Sequence, residues 1–133
     1  MITKKLASLL SYCVLWIYAY FMPTYSLILI VGFFVFCDLI TGVLASTRNE
    51  QGSYDWSRFN SKKLRNTVPK FTGYTIAILV AFVVEKHFNL EPACKVIAGF
   101  VMYIELKSLN ENIETITGTN LFKTLIEQVS FKK

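Results

Sequence analysis

Two apolar runs open the chain almost back to back, and they constrain its fold more than any other feature. Leu6–Met22 is 17 residues without a charge, and Tyr25–Ala45 is 21 residues with one charge, Asp38. At 1.5 Å per residue the shorter run covers roughly 25 Å, enough for a bilayer hydrocarbon core. A small soluble domain buries only about two-thirds of its surface. A 133-residue chain that is 53% hydrophobic and 17% charged has no room to hide both runs. The reading is a single-domain integral membrane protein. Lys4 and Lys5 give the first run the look of a signal peptide. No small-x-small site follows it, and Tyr18, Tyr20 and Phe21 crowd the place where one would lie. Both runs are therefore expected to span. Only Pro23-Thr24 separates them, so they are expected to form a tight helical hairpin.

Two weaker runs follow. Phe71–Val84 is short alone but spans as 68–88 if Lys70 and Lys86 snorkel. Ala93–Leu106 carries Lys95 and Glu105 near its ends. The expectation is an all-α helical membrane bundle with spans at about 6–22, 25–45, 68–88 and 93–106. It has three spans if the last run lies at the interface. Residues 107–133 are expected to be an amphipathic helical tail, with Gly118 ending one helix and Leu121, Phe122, Leu125, Ile126 and Val129 on one face of the next.

Charge placement orients the bundle. Lys4 and Lys5 precede the first span, and the segment Ser46–Lys70 carries a net +4. The segment Glu85–Lys95 and the stretch Glu105–Lys133 are each neutral. The positive-inside rule then puts both termini and the basic segment in the cytoplasm, with the protein multi-pass in a cytoplasmic membrane. Tyr18, Tyr20 and Tyr25 fall at the outer aromatic belt, and Tyr74 and Tyr103 at the inner one. Arg58, Lys62, Lys63, Arg65 and Lys70 make the basic segment, interleaved with Trp56, Phe59, Leu64 and Val68. This reads either as a membrane-surface helix or as a flexible loop. Topology accounts for its charge, so no nucleic-acid partner is implied.

Asp38 is the first functional candidate. It lies roughly 10 Å into the bilayer, where a carboxylate costs at least about 3 kcal/mol unless paired or watered. A structural partner from Lys62, Lys63, Arg65 or Lys70 explains it as well as a pore role does. Gly73, Ala77 and Ala81 recur every four residues, as do Gly42 and Ser46, and such small stripes let helices approach closely in lipid. Glu105, Ser108, Glu111 and Asn112 form a polar stripe that is either solvated or close to Asp38 and the basic segment. Cys13, Cys37 and Cys94 have neither disulfide nor metal spacing. The single histidine, His87, has no catalytic set around it, and no nucleotide loop or metal motif appears. Neither an enzyme nor a cofactor is expected.

Two of these patterns resemble a known family. Asp38-Leu39-Ile40-Thr41-Gly42 is similar to the Asp-x-x-Thr-Gly signature of phage lysis and toxin-secretion holins. Glu105-Leu106-Lys107-Ser108-Leu109-Asn110-Glu111-Asn112, followed by Gly118, resembles their Glu-x-x-Ser-x-x-Glu-Asn…Gly signature. Asn60–Val68 resembles the family's Ser-Lys-rich lead-in to the third span, while Pro69 departs from its continuous helix. The resemblance covers roughly residues 25–120. It implies a protein of the host cytoplasmic membrane that homo-oligomerises and permeabilises the bilayer. An endolysin or toxin is then released without necessary direct contact. It also implies that Asp38, Thr41, Gly42, Glu105, Ser108, Glu111 and Asn112 belong to a pore or oligomer interface. The readings left beside it are a non-conducting anchor or regulator and a small channel or transporter subunit.

Overall fold

The computed structural model describes residues 2–49, 52–58 and 61–130. Among these, the chain is helical apart from short turns and one isolated antiparallel bridge, Arg48 to Tyr54. Five helices run in order: α1 Ile2–Phe21, α2 Tyr25–Thr47, α3 Ser61–Phe88, α4 Ala93–Thr117 and α5 Leu121–Ser130. Two stretches are long and apolar enough to cross a membrane, Lys5–Thr47 and Leu64–Phe88. α4 is not among them, because Lys95, Glu105 and Lys107 interrupt its apolar run.

The packed unit is α2, α3 and α4, with α2 and α4 sharing the largest contact. Val31 and Val35 of α2 meet Ile78 of α3 and Ala98 and Val101 of α4 in one buried cluster. Ala81, Phe82 and Cys94 form a second cluster nearer the α3–α4 turn. In lipid there is little hydrophobic gain in pairing two apolar helices, so close packing must hold them. Small residues allow it. Ala98 is fully buried, and at Gly32 a Cβ would come within 3.2 Å of the Phe71 ring.

The expected hairpin of the first two runs is not formed. Met22–Thr24 is a 3-10 turn with Pro23 in it, and Phe21, Thr24 and Tyr25 all keep right-handed helical dihedrals. A turn with no residue outside that region bends a helix without reversing it. α1 therefore does not lie back along α2. Residues 5–19 are exposed, and α1 meets the bundle near its end, where Tyr20 lies edge-on and Phe21 tilted against the Phe82 ring.

The remaining joints follow from local chemistry. α3 begins at Ser61 and runs on through Pro69 to Phe88. The proline removes one donor, to the Arg65 carbonyl, without ending the helix. Asn89, in the left-handed region at φ 52°, leads into the turn to α4. There the Glu85 carboxylate accepts from the Cys94 amide at 2.9 Å, capping the start of α4. Gly118 closes α4 at φ 74°, as its position in the sequence suggests. Within the basic segment the described residues include a short 3-10 turn at Trp56–Arg58. Asn49 and Ser53 are joined by three hydrogen bonds, and Arg48 donates to the Thr115 carbonyl at 3.3 Å. From Ser61 onward the segment is the first part of α3. Phe59 and Asn60 lie outside the described residues, as do the side chains of Arg58, Lys62 and Lys63.

Candidate functional site

The three packed helices bring their few polar residues to one place. Lys70 on α3 stands between two carboxylates, with its Nζ 3.0 Å from Asp38 Oδ2 on α2 and 2.8 Å from Glu105 Oε2 on α4. Tyr74, one turn beyond Lys70, donates its hydroxyl to Glu105 Oε1 at 2.8 Å. Asn112 on α4 donates to Asp38 Oδ1 at 2.9 Å and lies 3.4 Å from the Thr41 hydroxyl. Thr41 in turn donates to the Cys37 carbonyl at 2.9 Å. Three of the four carboxylate oxygens accept a hydrogen bond, the buried Glu105 Oε2 is met by the Lys70 ion pair alone, and each pair of helices is tied through a side chain.

Burial is graded across the cluster. The Glu105 side chain is 0% exposed, Asp38 15% and Lys70 31%. The exposed side faces a polar cavity of about 220 Å3, walled in part by Asp38, Gly42, Asn66, Ser108 and Asn112. Two carboxylates against one ammonium leave a formal charge of −1. An isolated buried charge is costly, and breaking such a cluster by removing one partner costs about 3–5 kcal/mol. The arrangement can hold charge inside an apolar bundle and offer it to water or to a polar ligand in the cavity. Among the described residues no group of three His, Cys, Asp or Glu side chains is placed to hold a metal ion.

The sequence candidates divide here. Asp38, Thr41, Glu105 and Asn112 are in the cluster, and Gly42 and Ser108 line its cavity. Glu111 is exposed and apart. Of the possible basic partners of Asp38, Lys70 is in contact and Arg65 is exposed, while the side chains of Lys62 and Lys63 lie outside the described residues. The small stripe on α3 is split. Ala81 is buried in the bundle, whereas Gly73 and Ala77 face outward, with nothing within 4 Å of a Cβ placed at Gly73. Tyr74 is drawn inward by Glu105 instead of joining an aromatic belt, and Tyr103 is 65% exposed. Tyr74, Asn66 and Thr67 were absent from the sequence candidates. The spacing of Lys70 and Tyr74, one helical turn apart, is the signal that places the tyrosine beside the cluster.

The comparisons agree with this picture at the level of the family. The model of the bacteriophage holin family matches residues 15–130, which includes every residue of the cluster. No curated protein matches the chain. No solved structure matches it either. With most of its length covered by that one match, and with apolar helices packed around buried charge, the chain is a membrane protein that belongs to the bacteriophage holin family.

Proposed function

We propose that copies of this chain assemble in the host cytoplasmic membrane and open it, releasing an endolysin or toxin that need not touch them. The observation that supports this reading best is the Asp38–Lys70–Glu105 cluster, charged groups held among three helices whose outer faces are apolar. Asp38, Thr41, Gly42, Glu105, Ser108 and Asn112 would line the opening once neighbouring helices part, with Glu111 at its inner mouth. Gly73 and Ala77 offer a small, outward strip on which another copy can pack closely. Arg58, with Lys62, Lys63 and Arg65 in the first turns of α3, would sit at the anionic inner surface. No catalytic chemistry is part of this function.

The topology proposed with it has four crossings, by α1 to α4, and both termini in the cytoplasm. The 43 residues of Lys5–Thr47 would extend roughly 65 Å if straight, about twice a hydrocarbon core, so they cannot be one crossing. Two crossings require the Met22–Thr24 turn to close further in the bilayer. Single cysteines at Thr3, Ser53, Asn89 and Gln128, in a chain with its own cysteines replaced, test this. Only Asn89→Cys should react with an impermeant thiol reagent added outside intact cells. Labelling at Thr3→Cys or Gln128→Cys would refute the four-crossing topology.

Inducible expression in a bacterium tests the activity, with membrane potential, viability and leakage of a cytoplasmic enzyme followed over time. Abrupt collapse with release of folded enzyme is expected, and Ala77→Leu should delay or abolish it. Harmless accumulation would refute pore formation. It would favour a membrane anchor or regulator that docks a partner on the exposed Phe122, Leu125, Ile126 and Val129 face of α5.

A further inference from the structure

The polar cavity does not end blindly. Leu39 and Thr67 belong both to its wall and to the wall of an apolar groove of about 250 Å3 between α2 and α3. The groove is bounded by Gly32, Val35 and Phe36 on one helix and by Val68, Phe71 and Thr72 on the other. α2 and α3 run antiparallel, with Leu27 packed on the Ala81 and Phe82 cluster at one end and Asp38 near Lys70 at the other. From Leu39 the groove extends seven residues to Gly32, roughly 10 Å along the helices. The cavity extends the other way, to Gly42 and Asn66, at the end that carries the basic segment. A polar chamber and an apolar slot in line, with a shared rim, have the outline of an amphiphile lying parallel to the helices.

Charge selects the head. Asp38, Glu105 and Lys70 sum to a formal −1, and the Lys70 ammonium is already shared by both carboxylates. An anionic head would meet the wrong sign, whereas a cationic donor completes the balance at Asp38, whose oxygens can each accept a second hydrogen bond. Asn66, in the cavity wall one turn before Lys70, offers an amide donor to a phosphate. The groove beside Gly73 and Ala77 has no such polar end, being lined by apolar residues throughout.

We propose that this site holds one phospholipid with a primary-ammonium headgroup, its ammonium beside Asp38 in the cavity and an acyl chain in the groove between α2 and α3. The full chain is reconstituted in nanodiscs of equal phosphatidylethanolamine and phosphatidylglycerol and released into a native mass spectrometer. One phosphatidylethanolamine should stay with each chain, enriched about fivefold over phosphatidylglycerol, the ratio expected from one screened ion pair at a membrane surface. Val68→Trp, on an exposed wall of the groove, should remove the retained lipid. Val80→Trp, exposed elsewhere on α3, should not. Asp38→Asn should abolish the headgroup preference, and its helicity and melting are recorded alongside because it also disturbs Lys70. Equal retention of the two lipids overturns the proposal, as does preference for phosphatidylglycerol. Preference that survives Val68→Trp overturns it too. A dimer mass that Val68→Trp removes would make the groove a protein contact instead, and would equally overturn it.

Discussion

α1 and α2 are adjacent apolar helices of nearly equal length, joined by three residues, yet they meet opposite fates. α2 buries Val31, Val35, Gly42 and Thr47 and carries Asp38 into a charged cluster. α1 buries nothing along residues 5–19 and touches the bundle only at its last turn. The difference lies in what each offers besides apolar surface. α2 has glycines where neighbours approach and polar groups that need partners from α3 and α4. Residues 5–19 of α1 have side-chain polar groups of two kinds. Ser8 and Ser11 satisfy their hydroxyls on their own helix, while Tyr12, Tyr18 and Lys5 lie exposed. Hydrophobicity decides that a helix enters a membrane; small and polar residues decide against what it packs.

The contrast can be broken or sharpened by substitution, with stability read as thermal unfolding in detergent. Lys70→Met should have the largest effect, about 3–5 kcal/mol, because it strands two carboxylates inside the bundle. Adding Glu105→Gln to that variant should recover part of the loss, and no recovery would mean the cluster is not the cause. Ile78→Ala, in the core that α2 shares with α3 and α4, should cost about 2–4 kcal/mol. Tyr74→Phe removes one hydrogen bond to a charged acceptor and should cost about 1.5–3 kcal/mol, less than Lys70→Met. The comparison fails if Ile17→Ala on α1, expected to change stability by less than about 0.5 kcal/mol, proves as damaging as Ile78→Ala.

Much of this was legible from the chain. Apolar runs and breakers locate most helix ends to within a few residues, although α3 begins at Ser61, seven residues before the expected span, and Gly118 marks the end of α4 where the left-handed residue stands. Asp38 stood out as an acid at bilayer depth, and Lys70 was among four basic candidates to meet it. Choosing among the four required tertiary register, which periodicity does not carry. Tyr74 escaped notice because a tyrosine near a span end satisfies the belt rule equally well, and only the helix opposite shows which rule applies. The hairpin failed for a related reason. Pro23 signals an interruption, but proline is at home in the first turn of a helix, so it does not signal a reversal.

The linkage at Lys70 has a kinetic meaning. α2 is held to α3 through Asp38–Lys70, α3 to α4 through Lys70 and Tyr74 on Glu105, and α4 to α2 through Asn112–Asp38. Withdrawing any one helix breaks two of the three links and takes a charged side chain from its partner, which is costly in apolar surroundings. Such partly separated arrangements are high in energy, so the proposed opening is expected to involve all three helices together. If the helices part as proposed, the lifetime of the closed bundle would be set by the height of that barrier.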